Sequence, residues 1–226
     1  MERLLTSGCS FTKHCWPSWA DYLGKHYVWH KNVAEPGSDN ARIARSVIQN
    51  AKPDDLVVIL WSGYDRFSRY SDDEWHHTGS LVGDKEFYTN YYSQVERFTT
   101  TMDYVQMVDF HAKLKGYKCY HFNAFNWFGS ETYENVDSAI PEIYNNYSID
   151  NSYFTKVKCM YEFQEKRNEV IKINHKYIKN DIHPTPITHW YYLKEVMAEI
   201  IGVEIDTSLE STVLADQDRV LAGDVD

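Results

Sequence analysis

The sequence is poor in cysteine, and its few cysteines are badly spaced for cross-linking. Its 226 residues include four cysteines and no Cys-x-x-Cys pair. A disulfide framework in a domain of this size needs more cysteines, so we expect reduced thiols. The histidines also lack the spacing typical of a zinc site, and no metal is expected. The cysteines are Cys9, Cys15, Cys119 and Cys159.

Long apolar runs and blocks of positive charge are absent as well. The sequence contains no run of about 18 apolar residues, and its first residues lack the regions of a signal peptide. These absences predict a cytoplasmic protein with no membrane partner. Lys and Arg total 23 against 33 Asp and Glu, which gives a formal net charge of −10. Nucleic acid is therefore not an expected partner either.

What the chain does have is enough apolar residues for one sizeable core. Hydrophobic residues make up 43% of the sequence, so we predict a single domain over residues 1–203. Residues 204–226 are acidic with scattered apolar residues. We interpret them as a loosely attached or disordered tail.

Predicted strands and helices alternate along the chain. The strongest strand signal is the β-branched and aliphatic run 56–61, which is typical of a strand covered on both faces. Strand–helix–strand repeats predict an α/β fold, with a mostly parallel central sheet and right-handed crossovers. The predicted strands are 3–7, 27–33, 56–61 and 117–123, and the predicted helices are 17–23, 41–50, 90–115, 160–173 and 187–201.

The first strand ends in Gly8-Cys9-Ser10. A glycine at a strand end indicates a tight turn, and α/β proteins bind ligands at the carboxyl edge of the sheet. Ser10 is the side chain that this turn would present there. The other interpretation is a serine that only caps the following segment.

A second informative stretch, Asn180-Asp181-Ile182-His183-Pro184, precedes the last predicted helix. The histidine lies between a carboxylate and a proline, so it is a rigidly held titratable group. His183 could contact a nucleophile on one side and a carboxylate on the other.

These stretches resemble the separated motifs of the SGNH (GDSL-type) hydrolases. Gly8-Cys9-Ser10 is similar to the family's Gly-Asp-Ser, Gly37 to the glycine after its second strand, Gly63-Tyr64-Asp65 to its Gly-x-Asn, and 180–184 to its Asp-x-x-His-Pro. The resemblance covers roughly residues 3–200 and implies a flavodoxin-like, three-layer α/β/α sandwich.

The resemblance also implies roles for these residues. Ser10 would be the nucleophile, His183 its general base and Asp181 the acid that orients His183. The backbone N–H groups of Ser10 and Gly37 would bind the oxyanion, and Asp65 occupies the position of a third oxyanion donor. This chemistry implies no cofactor.

The sequence departs from the family pattern at three of these positions. Cys9 stands where the family has Asp, a change beside the nucleophile and not of it. Asp65 stands where the family has Asn, and an ionised carboxylate cannot donate a hydrogen bond to an oxyanion. The neighbouring Arg66 could supply donors or bind an anionic substrate group, or it could form a structural ion pair with Asp65. The orienting acid is also displaced, because Asn180 lies three residues before His183 and Asp181 only two.

Residues 124–150 form an irregular, aromatic-rich insertion. Its aromatic rings could hold a sugar ring or could simply cover an edge of the sheet. Since many enzymes of this resemblance remove acetyl groups from glycans, the resemblance together with the insertion implies a carbohydrate-linked acetyl ester or a small ester as substrate. Tyr64 and Arg66 are the candidate substrate-binding residues. The alternative function is that of a non-catalytic ligand-binding or structural protein on the same scaffold. The aromatic residues are Phe125, Trp127, Phe128, Tyr133, Tyr144 and Tyr147.

Overall fold

A computed structural model describes residues 3–71, 74–77, 92–129 and 136–225. Its main sheet has four strands in the order β2-β1-β3-β6, and every neighbouring pair is parallel. The α/β prediction is therefore confirmed. The strands are β1 (Arg3–Gly8), β2 (Trp29–Asn32), β3 (Asp55–Trp61) and β6 (Lys118–Asn123).

Helices cover both faces of this sheet. Side chains alternate between the two faces along each strand, so these apolar strands present apolar side chains on both faces. On one face, Leu4, Val58 and Phe122 pack among the helices α1, α5 and α6. On the other face, Leu5 and Ile59 pack against α2 and α3. The result is the predicted three-layer arrangement. The helices are α1 (Trp19–Gly24), α2 (Asn40–Asn50), α3 (Gln94–Lys115), α4 (Ile140–Asn145), α5 (Met160–Lys166), α6 (Pro186–Tyr192), α7 (Ala198–Ile201) and α8 (Glu210–Leu221).

Two predicted helices differ from those observed. The helix predicted over 160–173 ends at Lys166, because Asn168 adopts a left-handed backbone conformation with φ of 54°. The helix predicted over 187–201 is interrupted between α6 and α7 by a π-helical turn, Leu193–Met197. Such turns insert one extra residue into a helix without breaking it.

The irregular segment predicted after β3 contains a two-stranded antiparallel hairpin. Its strands are β4 (Ser68–Ser71) and β5 (Glu74–His77). The rest of the predicted segment, at 72–73 and 78–88, lies outside the described residues, as do the first two residues of the helix predicted from residue 90.

The aromatic insertion mainly contributes to packing. Trp127 is fully buried, and its indole N–H donates to the carbonyl of Ser62 at 3.1 Å. Phe128 packs against Phe98 of α3 and Tyr144 of α4. These two rings therefore pack within the protein. Tyr133 lies outside the described residues.

The acidic tail is ordered, contrary to the prediction. Its helix α8 buries Val213 completely in the same core cluster as α1 and α6. The side chain of Gln217 accepts a hydrogen bond from the backbone N–H of Ile187 at 3.2 Å, and Asp216 accepts one from the Tyr22 hydroxyl at 3.1 Å. The tail thus packs against the segment that carries His183.

Within the described part of the chain, no helix combines the length and apolarity needed to cross a lipid bilayer.

If α8 is part of the core, Val213→Ala should lower the free energy of unfolding by about 1.5–2.5 kcal/mol, because two buried methyl groups are removed. The neighbouring Leu214 is 49% exposed, so Leu214→Ala should change it by no more than about 0.5 kcal/mol. Urea unfolding of both variants measures the difference. Equal effects would contradict the packing of α8.

Candidate active site

The turn that carries Ser10 begins where β1 meets β3. Gly8 pairs with Leu60, and a Cβ atom on Gly8 would lie 2.7 Å from the Leu60 carbonyl oxygen and 2.1 Å from the Thr12 hydroxyl. Only glycine fits there. The turn closes with a hydrogen bond from the Thr12 N–H to the Cys9 carbonyl at 2.9 Å. Ser10 is therefore held at the carboxyl end of a central strand.

The segment that carries His183 is anchored on both sides. The Trp16 indole N–H donates to the carbonyl of Pro184 at 2.8 Å, and the Gln164 amide donates to the carbonyl of Ile182 at 3.0 Å. Because both backbone neighbours are fixed, the His183 ring has a defined position over the Ser10 turn. Phe11 presents its ring to His183 edge-on, with 5.4 Å between centroids.

Ser10, His183 and Asp181 form a hydrogen-bonded series. Ser10 Oγ lies 2.8 Å from His183 Nε2, and His183 Nδ1 lies 2.5 Å from Asp181 Oδ1. The backbone N–H of His183 also donates to Asp181 Oδ1, at 2.9 Å. Asn180 takes no part in the series; it is exposed, and its backbone N–H donates to Asn174 instead.

Two further histidines bind the second oxygen of Asp181. His14 Nε2 lies 2.9 Å and His175 Nε2 lies 2.8 Å from Asp181 Oδ2. Burial raises the pKa of Asp181, but the hydrogen bonds from His14, His183 and His175 together hold it well below its usual value. The carboxylate is therefore charged although only 3% of the residue is exposed.

Sequence reasoning missed His14 and His175 because neither belongs to a motif. His14 follows Ser10 by four residues on the same turn. His175 returns to Asp181 because Ile173 and Asp181 exchange two backbone hydrogen bonds of 2.8 Å, which close the intervening loop. That pairing between distant backbone groups has no signature in the sequence.

Gly37 and Asp65 lie in turns at the same edge of the sheet as Ser10. The turn with Gly37 follows β2 and closes with a hydrogen bond from the Ser38 N–H to the Glu35 carbonyl. Asp65 is buried in the turn after β3. A hydrogen bond from the Arg66 N–H to the Gly63 carbonyl, 3.3 Å long, closes this turn. Because β2 and β3 flank β1, the two turns lie on either side of the Ser10 turn.

These two turns are joined by a buried amide, that of Asn40 at the start of α2. Its Nδ2 donates to the carbonyl of Ser62 at 3.2 Å, and its Oδ1 accepts from the Ser62 N–H at 2.9 Å. The amide fixes the end of β3 relative to the turn that contains Gly37.

The two candidate substrate-binding residues differ in their surroundings. Tyr64 is fully buried, and its ring packs edge-on against Phe98 at 5.7 Å, so the ring contributes to packing. Arg66 is half-buried, with its guanidinium 5.8 Å from the Phe125 ring centroid. Phe125 in turn lies 5.0 Å from Phe11, beside Ser10 and His183. Phe125, in the insertion, thus connects Arg66 to the site.

Among the residues that the structure describes, two groups of donor side chains are close enough together to hold a metal ion. They are His14, Cys15 and His175, and His14, Asp181 and His183, with donor atoms within 4.8 Å of one another. Both groups include imidazoles that already bind Asp181. A cation at either place would have to displace these hydrogen bonds.

No protein-family model and no curated protein matches the chain. Similar solved structures include protein YXIM from Bacillus subtilis (11% identity, TM-score 0.36, 98% of this chain and 56% of that one). Phospholipase A1 from Streptomyces albidoflavus NA297 aligns at 10% identity and a TM-score of 0.46, over 84% and 96% of the two chains. A GDSL-like lipase from Bacteroides thetaiotaomicron aligns at 12% identity and a TM-score of 0.41, over 88% of this chain and 87% of that one.

The chain spans 56% of the length of the Bacillus subtilis protein. The TM-scores of these three alignments are all below 0.5.

A fourth histidine near the site, His189 on α6, generates a prediction about pH. Burial, reinforced by the nearby His14 and His183, lowers its pKa to about 3. The unfolded chain binds a proton at this residue below about pH 6.5, whereas the folded chain does not. Its contribution to stability is therefore full above pH 6.5 and is lost as the pH falls toward 3.

The variant His189→Phe should unfold with a shallower pH dependence than the unaltered protein between pH 6 and 4, by up to about 1.4 kcal/mol per pH unit. The neighbouring Trp190 is also fully buried but does not titrate. Trp190→Phe should therefore lower stability without changing the slope. Denaturant unfolding at several pH values gives both slopes, and an unaltered slope in His189→Phe would refute the prediction.

Proposed function

We propose that this chain is a serine ester hydrolase of the SGNH type that acts by acyl transfer. The observation that carries the proposal is the hydrogen-bonded series from Ser10 Oγ through His183 to Asp181, with distances of 2.8 and 2.5 Å. A hydroxyl bonded to a base that is itself oriented by a carboxylate is the recurring arrangement of an activated nucleophile.

The first half-reaction forms an acyl-enzyme. His183 Nδ1–H donates to Asp181, so Nε2 is free of a proton and accepts the one from the Ser10 hydroxyl. Ser10 Oγ bonds to the ester carbonyl carbon as this proton moves. His183 then gives the proton to the departing alcohol oxygen as the ester C–O bond breaks, while Asp181 stabilises the charged imidazole in between.

The second half-reaction releases the acid. A water molecule takes the place of the alcohol and gives a proton to His183 Nε2 as its oxygen bonds to the acyl carbon. The bond to Ser10 Oγ then breaks, and the proton returns to that oxygen. Every proton in the cycle passes through one imidazole nitrogen.

In this proposal the backbone N–H groups of Ser10 and Gly37 bind the negative oxygen of both tetrahedral intermediates. Support comes from the turns that carry them, which follow neighbouring strands at one sheet edge. Asp65 follows the third strand at that edge and would bring a carboxylate close to the developing charge. We infer that Asp65 limits the rate, because preorganised donors are usually the largest contribution to such reactions.

The proposed substrate is a small ester, most specifically an acetyl group linked to a carbohydrate. Ser10 is only 6% exposed, which favours a short acyl group. Phe125 offers a half-buried ring beside the site on which a sugar ring could pack. Arg66, next to Phe125, could bind an anionic substituent of that sugar, and it lines a cavity of about 220 Å³ together with Arg45 and Arg97.

The proposal predicts turnover of p-nitrophenyl acetate that is lost in Ser10→Ala. The residual rate should be at least about 10³-fold lower, because removing a nucleophile leaves only binding and the oxyanion donors. Ser208→Ala, at an exposed serine remote from the site, is the matched control and should keep full activity.

Absence of turnover, or turnover that survives in Ser10→Ala, would refute the catalytic proposal. A catalytically silent protein would favour the alternative, a ligand-binding protein on the same scaffold, which the carboxylate of Asp65 permits. Octanoate esters should react more slowly than acetate if the recessed hydroxyl selects short acyl groups.

A second prediction concerns Asp65. Asp65→Asn should raise kcat by about 10- to 100-fold, because it replaces a repulsive acceptor by a donor at the oxyanion. Asp39→Asn is the control: Asp39 is also a buried carboxylate, and the hydrogen bond that it accepts from the Arg42 N–H at 2.8 Å is retained by asparagine. An unchanged kcat in Asp65→Asn would remove Asp65 from the oxyanion site.

A further inference from the structure

The carboxylate of Asp181 has far more partners than the orientation of one imidazole requires. Oδ1 accepts from the backbone N–H and Nδ1 of His183, and Oδ2 accepts from His14 and His175. We call His14 and His175 the histidine clamp. Its two members come from different segments, the turn after β1 and the loop before Asp181.

Hydrogen bonding determines which nitrogen of His175 carries the proton. The backbone N–H of Tyr177 donates to His175 Nδ1 at 3.3 Å, so Nδ1 is an acceptor. The proton is then on Nε2, from which it is donated to Asp181. His175 is thus neutral, and its side chain is fully buried.

His14 makes the same kind of contact from the other side. Its side chain is 7% exposed, and burial lowers its pKa although the Asp181 hydrogen bond opposes this shift. A neutral His14 must carry its proton on Nε2 to donate to the carboxylate. Its ring also stacks on His183, with centroids 4.2 Å apart and planes 25° apart.

Trp16 holds both clamp residues in place. Its ring lies edge-on to His14 at 4.2 Å and to His175 at 5.5 Å, while its N–H binds the carbonyl of Pro184. One tryptophan therefore fixes the clamp and the His183 segment relative to each other.

We propose that His14 and His175 are positioning residues for the reaction, which lock the plane of the Asp181 carboxylate and draw part of its charge away from His183. This inference rests on the proposed function. With Oδ2 held by two donors, Oδ1 cannot rotate away from His183 Nδ1. Misplacement of a catalytic group by about 1 Å can cost about 10²-fold in rate.

The test compares two variants of His175. His175→Phe keeps an aromatic ring but has no donor, and its kcat should fall by about 10- to 100-fold with KM unchanged. His175→Gln retains an N–H group at a similar reach, so its kcat should stay within about threefold of the unaltered protein. His111→Phe is the remote control, at a histidine of α3 that contacts Tyr117, and should have no effect on kcat.

A double-mutant cycle distinguishes a positioning role of His175 from a purely structural one. If His175 acts through Asp181, adding His175→Phe to Asp181→Ala should cost less than about twofold in kcat. Equal losses in the two variants, or a full loss that persists without Asp181, would each overturn the proposal.

Histidine ¹⁵N NMR tests the clamp independently of turnover. His14 and His175 should be neutral with the proton on Nε2 at pH 7, and both should change signal in Asp181→Ala. If His14 or His175 carried its proton on Nδ1, the clamp would be refuted. Because these signals come from the unaltered protein, the test remains available even if His175→Phe fails to fold. A protein with the expected NMR signals but no Ser10-dependent turnover would instead refute the proposed function.

Discussion

A buried negative charge, the carboxylate of Asp181, is the constraint on which the arrangement of the site depends. An isolated charge in a protein interior is costly unless donors surround it. Here three imidazoles and one backbone N–H supply them. These donors come from separate segments. Their hydrogen bonds to one carboxylate therefore hold the turn after β1 against the loop before α6.

The parallel sheet supplies the other half of the site. It places the turns after β1, β2 and β3 at one edge, while the packing of α6 against α8 and α1 fixes the direction from which His183 arrives. The hydrogen bond from Trp16 to Pro184 joins the two halves. Ser10 and His183 are 173 positions apart in the sequence, so their meeting depends on the whole fold.

Much of this was predictable where the signal is local. The run 56–61 identified the central strand, and Gly8-Cys9-Ser10 and Asp181-Ile182-His183 identified the residues that meet. The helix α8 was not predicted, because the acidic composition of residues 204–226 indicates a disordered tail. The helical spacing of Val213, Gln217 and Val220 was the signal that could have identified it. The histidine clamp left no local signal, since His14 and His175 reach Asp181 through tertiary contacts.

The central claim is that Ser10 is a nucleophile activated by His183 and Asp181. The most direct measurement is covalent labelling with a fluorophosphonate, located by peptide mapping and mass spectrometry. The account predicts one adduct, on Ser10, that forms far more slowly in His183→Ala, with an intermediate rate in Asp181→Ala. An unlabelled Ser10, or labelling at the same rate without His183, would contradict it.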